Sequence, residues 1–459
     1  MKKVLSTVAA LGLIAGLAST ASAVEFKMSG KYLVEGAYLS DSNAGNGIKP
    51  TETSTADNAS NAYWLHTFEI KPTMVVNDKI SMSSVIRLAD DTFWGSQTSG
   101  DVSSTGTKVG GTAGDVYVHQ LYMDYASPIG KMRFGRTPAG TYGTSFMDYD
   151  GRGDRIMLWP SFLASGPVTT LFYFQKSTDN NYASVGTGSV VVNNASDADS
   201  TKYVARVYYN TDSLDSGIEY AFMNNQLVAA ANDAKQSLTV YGKYKMDNLF
   251  ANAEAVHFFG SKDYDHALVA TADQDYDSWA AFVQVGAKID ALTPSLAFVY
   301  AEGQKLGEND IQNALTTTGA SAGTGDQFEL LYILTGRHTG ILNNDIFSGN
   351  TASASVAGVH ALVAAVDYAV SNQLTLHGAI GWAKADEKVY YNNVGVLTAA
   401  LDDSYGWEYN VGAAYKLLDN LTYEAHFGYL DAGDYFNGNS ATDITKNVYV
   451  LTHSLTMTF

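Results

Sequence analysis

The 459-residue chain contains no cysteine, so disulfide bonds contribute nothing to its stability. Proline is also scarce, at 7 residues. Beyond residues 1–23 there is no run of about 18 apolar residues, which excludes a transmembrane helix. Basic residues are few, with 28 Lys and Arg against 47 Asp and Glu. The resulting net charge of −19 excludes a general affinity for nucleic acid.

Tyrosine and glycine are abundant instead, at 30 and 42 residues, and the mean hydropathy is −0.09. A membrane-spanning β-barrel has this kind of composition, because only half of its strand positions face lipid and the apolar signal is diluted. A soluble exported all-β protein would share it, so composition alone leaves both classes open.

The first residues indicate export. Lys2 and Lys3 precede an apolar run at 8–17, and the sequence then reads Ala21-Ser22-Ala23. This is the layout of a secretory signal peptide, and the apolar run is too short to span a bilayer. We predict a signal peptide at 1–23, cleaved after Ala23, and a single domain at 24–459.

The end of the chain, VYVLTHSLTMTF, alternates between apolar and polar residues. Leu451, Leu455 and Met457 share one parity, whereas Thr452 and Thr456 share the other. Successive side chains of a strand point to opposite faces, so this segment predicts a strand with one apolar and one hydroxyl face. Similar alternating segments of about nine to eleven residues recur from position 31 onward, the length that a tilted strand needs to cross a membrane.

The connections between these segments have two sizes. Tight turns are predicted at 77–78, 127–130, 247–248, 371–372 and 419–420. Long polar stretches lie at 41–61, 93–114, 178–200, 261–277, 386–404 and 433–446. Short turns that alternate with long loops are typical of outer-membrane barrels, and a soluble sandwich has little reason to sort its connections this way.

Counting strands by this alternation predicts an all-β protein, a transmembrane antiparallel β-barrel of about 18 strands around an aqueous channel. The count takes 155–164 and 168–177 as two strands. Sixteen and twenty strands stay open, because 304–357 is either one long outer loop or contains an extra pair of strands. The stretch QFELLYIL within it is apolar enough to be wall.

Parity also predicts which side chains face lipid. On the strands at 281–289, 407–417 and 421–429 the odd positions are apolar, with aromatic residues towards the ends of the last two, as in the girdles around a lipid band. The opposite parity carries polar residues, which we expect in a water-filled lumen: Glu408, Asn410, Lys416, Thr422, Glu424 and His426.

Three histidines, His66, His119 and His453, have the outward parity. They either lie above the hydrocarbon or contact protein. In a closed barrel the last strand pairs with the first, whose outward Gly30 and Gly36 allow close packing. We therefore predict an oligomer interface of Gly30, Gly36, His66, His119 and His453, and a homo-oligomer with a trimer as the favoured form.

Three stretches carry a family resemblance: VEFKMSGKYLVEGAY after the signal peptide, GKMRFGRTPAGTYGTSFMDYDGRGDRI in the middle, and the terminal Phe459. They resemble the homotrimeric outer-membrane porins of sulfate- and metal-reducing bacteria. The resemblance implies that residues 137–154, after the GKxRxGR strand, fold into the lumen and constrict it. It also implies that Phe459 is the signal read by the barrel-assembly machinery.

The residues around that segment suit a charged constriction. Acids on one side of a narrow channel and bases on the other create a transverse field that orients dipolar solutes. Alternatively, the same charges pair and pin the segment to the wall. The predicted constriction residues are Arg87, Lys131, Arg133, Arg136, Asp148, Asp150, Asp154, Arg155 and Arg206.

The sequence thus predicts an outer-membrane porin for passive diffusion of small hydrophilic solutes and ions. A substrate-selective channel and a plugged structural or adhesive barrel are the alternatives. We expect no enzyme, cofactor or metal site: no HExxH motif occurs, and His377 and His426 lie singly in strands. Expected partners are outer-membrane lipid and lipopolysaccharide, to which divalent cations could bridge the acidic loops.

Overall fold

The computed structural model describes residues 24–42, 59–94, 116–138, 142–146, 152–178, 183–185, 190–192, 199–226, 231–266, 272–308, 311–312, 328, 330–335, 357–391, 396–440 and 444–459. The predicted signal peptide lies outside this part of the chain. So do Asp148 and Asp150 of the predicted constriction.

Eighteen long strands form the wall of one closed barrel, which confirms the predicted strand number. Each strand pairs antiparallel with the next, and the last pairs with the first. In chain order the strands are β1 (Glu25–Ser42), β2 (Ala59–Val75), β3 (Ile80–Phe93), β4 (Tyr117–Ser127), β5 (Gly130–Pro138), β6 (Arg152–Pro160), β7 (Val168–Thr178), β8 (Ser200–Asn210), β9 (Leu214–Asn225), β10 (Ala231–Met246), β11 (Leu249–Tyr264), β12 (Gln274–Ala287), β13 (Leu292–Ala301), β14 (Val359–Ala369), β15 (Leu374–Lys384), β16 (Ser404–Leu418), β17 (Leu421–Ala432) and β18 (Val448–Thr458).

The barrel closes where β1 meets β18, with a register that runs from Lys31 opposite Thr458 to Leu39 opposite Val450. The terminal residue extends this ladder. The amide of Gly30 donates to the carbonyl of Phe459 at 2.8 Å, and the amide of Phe459 donates to the carbonyl of Gly30 at 3.1 Å. The last aromatic residue is therefore a hydrogen-bonded member of the closed ring.

One end of the barrel carries tight turns and the other carries long loops, as the sequence predicts. Asn77 forms a side-chain turn, in which its Oδ1 accepts from the amides of Lys79 and Ile80, both at 2.9 Å. Asp247 adopts a positive φ of 50° in a two-residue turn. None of the helices in the described part of the chain could span a lipid bilayer.

The two faces of the wall differ as expected. On β16 the odd positions Trp407, Tyr409 and Val411 are exposed and apolar or aromatic. Glu408 and Asn410 point inward, which was predicted, but they are not in water as expected. Their exposed fractions are 0% and 3%, because other residues of the chain cover them from inside the barrel.

The covering residues come from the connection between β13 and β14. The expectation that QFELLYIL could form wall is wrong, because β13 pairs directly with β14 and leaves no place for an extra strand pair. Phe328 and residues 330–335 instead lie inside the barrel, where Leu331, Ile333 and Leu334 are almost fully buried. We refer to Phe328 and residues 330–335 as the second inward segment.

Substitution of Gly36 tests how closely the side chains pack where β1 meets β18. A Cβ on this residue would overlap Nε2 of His453 on β18. We expect Gly36→Val to destabilise the folded barrel by about 1–3 kcal/mol, the usual cost of overpacking. The urea midpoint of the compact, heat-modifiable band on gels measures it.

The matched control is Gly242→Val on β10, where an added Cβ would meet no atom within 4 Å. Equal midpoints for Gly36→Val and the wild type would contradict the packing described at the seam.

Candidate pore and its constriction

Residues 142–146 cross the barrel interior between the end of β5 and the start of β6. Tyr142 contacts Tyr208 on β8 and Tyr241 on β10, with ring centroids 5.3 and 5.0 Å apart. Phe146 reaches Phe282 on β12, at 5.7 Å. The segment after β5 therefore folds inward across several strands, which confirms the predicted inward fold of this loop.

Hydrogen bonds hold this segment against the far wall. The amide and the hydroxyl of Thr144 both donate to Oε2 of Glu254 on β11, at 2.8 and 2.7 Å. Nζ of Lys243 donates to the carbonyl of Gly143 at 3.1 Å. Gly143 has a φ of 83° and lies so close to Tyr241 that a Cβ would collide with its ring. Glycine is therefore required at this crossing point.

Arg155 fixes the root of the constriction segment. Its Nη1 donates to the carbonyl oxygens of Pro138 at 2.8 Å and of Thr137 at 3.2 Å. Its guanidinium carbon lies 5.4 Å from the ring centroid of Tyr173. Arg155 is buried, so these contacts orient the chain where it leaves β5.

Arg206 is buried beneath the same segment. It forms an ion pair with Glu219 on the neighbouring strand β9. Its guanidinium carbon lies 4.7 Å from the ring centroid of Tyr142 and 5.4 Å from that of Tyr173. For Arg155 and Arg206 the geometry favours pinning of the segment to the wall over direct contact with solutes.

Among the predicted constriction bases that point inward, Lys131, Arg133 and Arg87 keep part of their side-chain surface exposed. Arg133 donates to both carboxylate oxygens of Asp124, at 2.6 and 2.9 Å, and Lys131 lies 3.2 Å from the same carboxylate. Arg87 pairs with Glu69 at 3.4 Å and also with Asp90. The charges therefore alternate along neighbouring strands of one inner wall.

Arg136 and Asp154 form a bidentate pair at 3.0 and 2.9 Å. They share the parity of exposed Leu121 and Ile156 and thus point away from the lumen. These two residues therefore do not line the lumen, although the sequence prediction placed them in the constriction.

Sequence reasoning missed the second inward segment. The ring of Phe328 lies 5.3 Å from that of Phe146 and 5.1 Å from that of Phe282, so the two inward segments touch. An apolar octapeptide inside a polar loop was the available signal. Because wall and interior both bury apolar residues, composition does not distinguish between them.

The predicted outward cluster at the seam is largely present. Trp64 stacks on Trp94 at 5.4 Å and meets the ring of His453 edge-on at 4.3 Å. His66 lies 3.3 Å from the hydroxyl of Tyr32. We call these five residues, together with Gly30 and Gly36, the seam patch.

His119 does not join the seam patch. The ladder between β3 and β4 shifts between Val85 and Ile86, which makes His119 the extra residue of a bulge. Its Nδ1 lies 3.4 Å from the hydroxyl of Tyr117, which also bonds to Asp90. The bulge changes the parity on which the sequence prediction for His119 depended.

At the end of the barrel that carries the long loops, three carboxyl groups outside the strands have shifted pKa values. Burial raises the pKa of Glu302, and nearby Asp277 and Asp386 raise it further. Burial and Asp386 likewise raise the pKa of Glu387. The backbone amide of Tyr264, which donates to Asp273 at 2.7 Å, lowers the pKa of that carboxyl.

A family model described as Porin subfamily matches residues 174–457. The chain belongs to this porin family. Two solved structures from Pseudomonas aeruginosa share the fold. The outer membrane protein opdK is 12% identical, covers 94% of this chain and 99% of its own, and gives a TM-score of 0.50. OccK8 (OprE) is 11% identical, covers 95% and 98%, and gives 0.50. No curated protein matches the sequence.

The family and the closed barrel together identify an outer-membrane channel for solute diffusion, and indicate a channel rather than an enzyme. Residues 319–323 have the G-x-S-x-G spacing of a nucleophile elbow, but they lie outside the described residues. The porin family gives this short pattern no catalytic context.

The pore should become less favourable to cations on acidification before ordinary carboxyls titrate. Glu302 and Glu387 bind protons above their usual range, so the loop-end mouth loses negative charge while the pH is still above about 4.3. Reversal potentials in a salt gradient, measured from pH 8 to pH 4, follow this change.

In the variant Glu302→Gln/Glu387→Gln the reversal potential should change less with pH in the range above about 4.3. The control Asp273→Asn removes a carboxylate of lowered pKa, so the reversal potential should change with pH above about 4.3 as it does in the wild type. An identical pH dependence in this range in the wild type and the double variant would contradict the assignment.

Proposed function

We propose that this porin is a general diffusion channel for small hydrophilic solutes and ions. The observation that carries the proposal is the inner wall of β3 to β5, where Arg87, Lys131, Arg133 and Asp124 keep part of their side-chain surface exposed inside the barrel. Charges in such positions attract water and ions into the channel and disfavour apolar solutes.

The proposed constriction consists of the segment 137–151 and the inward bases near it. Arg155 and Arg206 position the segment, while Lys131 and Arg133 face the passing solute. Asp148 and Asp150 belong to the segment by sequence. We propose that they supply its acidic side.

Liposome swelling and planar-bilayer conductance test the function. We expect purified protein to make liposomes permeable to small neutral sugars and to give a conductance that rises in proportion to salt concentration. Block by one solute at low concentration would instead support a substrate-selective channel. Absence of swelling and of conductance would support a plugged barrel and overturn the proposal.

We also propose that the protein is a homotrimer of the type found in porins of sulfate- and metal-reducing bacteria, assembled through the seam patch. Trp64 is 43% exposed in the single chain, and the patch around it combines aromatic, histidine and glycine residues. Aromatic residues are enriched at protein interfaces, whereas histidine has little affinity for lipid chains. The mature chain would begin at Val24 after export, with Phe459 guiding assembly and lipopolysaccharide as a neighbour.

Native mass spectrometry tests these points together. We expect three protomers, each with the mass of residues 24–459, and lipopolysaccharide that co-purifies. Trp64→Arg should yield monomer. The control Trp279→Arg changes an outward tryptophan of similar exposure on β12 and should remain trimeric. A wild-type monomer in mild detergent would contradict the oligomer.

A further inference from the structure

The second inward segment docks on the wall through a buried carboxylate. From these contacts we infer that Glu408 is a positioning residue for solute passage: it holds the second inward segment inside the barrel, and this segment sets the width of the open channel together with the constriction segment. The inference rests on the proposed diffusion function and adds to it a second determinant of pore size.

Glu408 has an exposed fraction of 0% and lies on β16. Its Oε1 accepts from the amide of Ile333 and its Oε2 from the amide of Leu334, both at 2.7 Å. A buried carboxylate is costly unless hydrogen bonds satisfy it, and bonds from amides to a charged acceptor are short and strong. Two consecutive backbone amides meet this requirement only while the segment is docked.

The docked segment is itself a compact turn. The hydroxyl oxygen of Thr335 accepts from the amides of Leu330 and Leu331, at 3.1 and 2.9 Å. The same hydroxyl donates to the carbonyl of Leu331 at 2.9 Å. The turn presents the amides of Ile333 and Leu334 side by side towards Glu408. Its local shape therefore matches the carboxylate.

Side chains of the segment also fit the inner wall. Leu331 fills the space above Gly381 on β15, where a Cβ would lie 2.5 Å from Cδ1 of the leucine. The hydroxyl of Tyr332 and Nδ1 of His426 are 2.7 Å apart. The ring of Tyr332 also lies 5.9 Å from that of His377. This site therefore brings together the two histidines that stand singly in the sequence.

The consequence is an off-centre channel. The interior next to β12–β16 is a packed apolar core that includes Phe146, Phe282 and Phe328. A space of about 330 Å³ remains beside both inward segments, lined by residues such as Lys243 and Gln284. We infer that solutes pass on the side of β2–β10, where Arg87, Arg133 and Lys243 keep part of their side-chain surface exposed.

Glu408→Gln tests the positioning role. The substitution puts an amide donor opposite a backbone donor, so one of the two bonds is replaced by a repulsive contact. We expect the segment to leave the wall, with a rise of roughly twofold in single-channel conductance and passage of larger neutral polymers, because the lumen of an 18-stranded barrel is wide once emptied.

The matched control is Glu424→Gln on the neighbouring strand β17. Glu424 also has lumen parity, and its Oε2 accepts a hydrogen bond from the hydroxyl of Ser454 at 3.4 Å. The carboxylate that accepts from the amide of Ile333 in the second inward segment is Glu408. The control variant loses the same charge, so its polymer cut-off should equal that of the wild type. Leu331→Asp provides a second way to expel the segment without altering the wall.

Because the chain has no native cysteine, an engineered disulfide can hold the second inward segment in place and release it on reduction. The pair Leu331→Cys/Gly381→Cys should form a disulfide across the docked contact, because Cγ of Leu331 lies 3.2 Å from an added Cβ at Gly381. In the Glu408→Gln background, the oxidised pair should restore the wild-type conductance and reduction should raise it again.

The two proposals fail in different ways. A wild-type protein that neither conducts nor swells liposomes refutes the diffusion function. A conducting wild type, with unchanged conductance and polymer cut-off in folded Glu408→Gln and Leu331→Asp, refutes the positioning role alone.

Discussion

The structure depends on the closure of the backbone hydrogen-bond ladder. In hydrocarbon no water can satisfy an unpaired amide or carbonyl, so a sheet survives there only when it has no free edge. The pairing of β1 with β18, completed by Gly30 and Phe459, removes that edge. Once the ring is closed, strand alternation separates a lipid face from an inner face. Tight turns connect the strands at one end of the barrel, and long loops connect them at the other.

The same constraint does not apply inside the barrel, and there the chain is free to use other contacts. Glu254 and Glu408 each bind backbone amides of a segment that folds inward. Each carboxylate fixes a loop by its main chain, while the aromatic rings of Phe146 and Phe328 join the two loops. We propose that these loops, anchored to a rigid wall, set the width of the channel. The wall alone would enclose a larger opening.

Much of the barrel could be predicted from the sequence, because period-two alternation reports directly which face a side chain occupies. The eighteen strands and the outward face of β16 are examples, whereas the inward segment after β5 was predicted from the family resemblance. Counting alternate residues assigns a side chain to the wrong face where the hydrogen-bond ladder contains a bulge. His119 lies at a bulge between β3 and β4, and one extra residue there changes the direction that a simple count assigns.

Burial inside the barrel was beyond the reach of the sequence. Glu408 and Asn410 were assigned to the correct face, but alternation cannot show that a distant loop covers them. The sequence places QFELLYIL in a long connection, and both lipid and a packed interior accept such residues. What decides between them is the fit of Leu331 over Gly381 and of two amides on Glu408, and these contacts exist only in three dimensions.

The central claim is that a closed wall separates lipid from an inner space that is wet on one side and packed on the other. Single cysteines placed in the cysteine-free chain, reacted with a membrane-impermeant thiol reagent, test it most directly. We expect rapid reaction at 131 and 243, and protection at the lipid-facing positions 409 and 411 and at the covered position 408. Rapid reaction at 409 and 411, equal to that at 131, would contradict it.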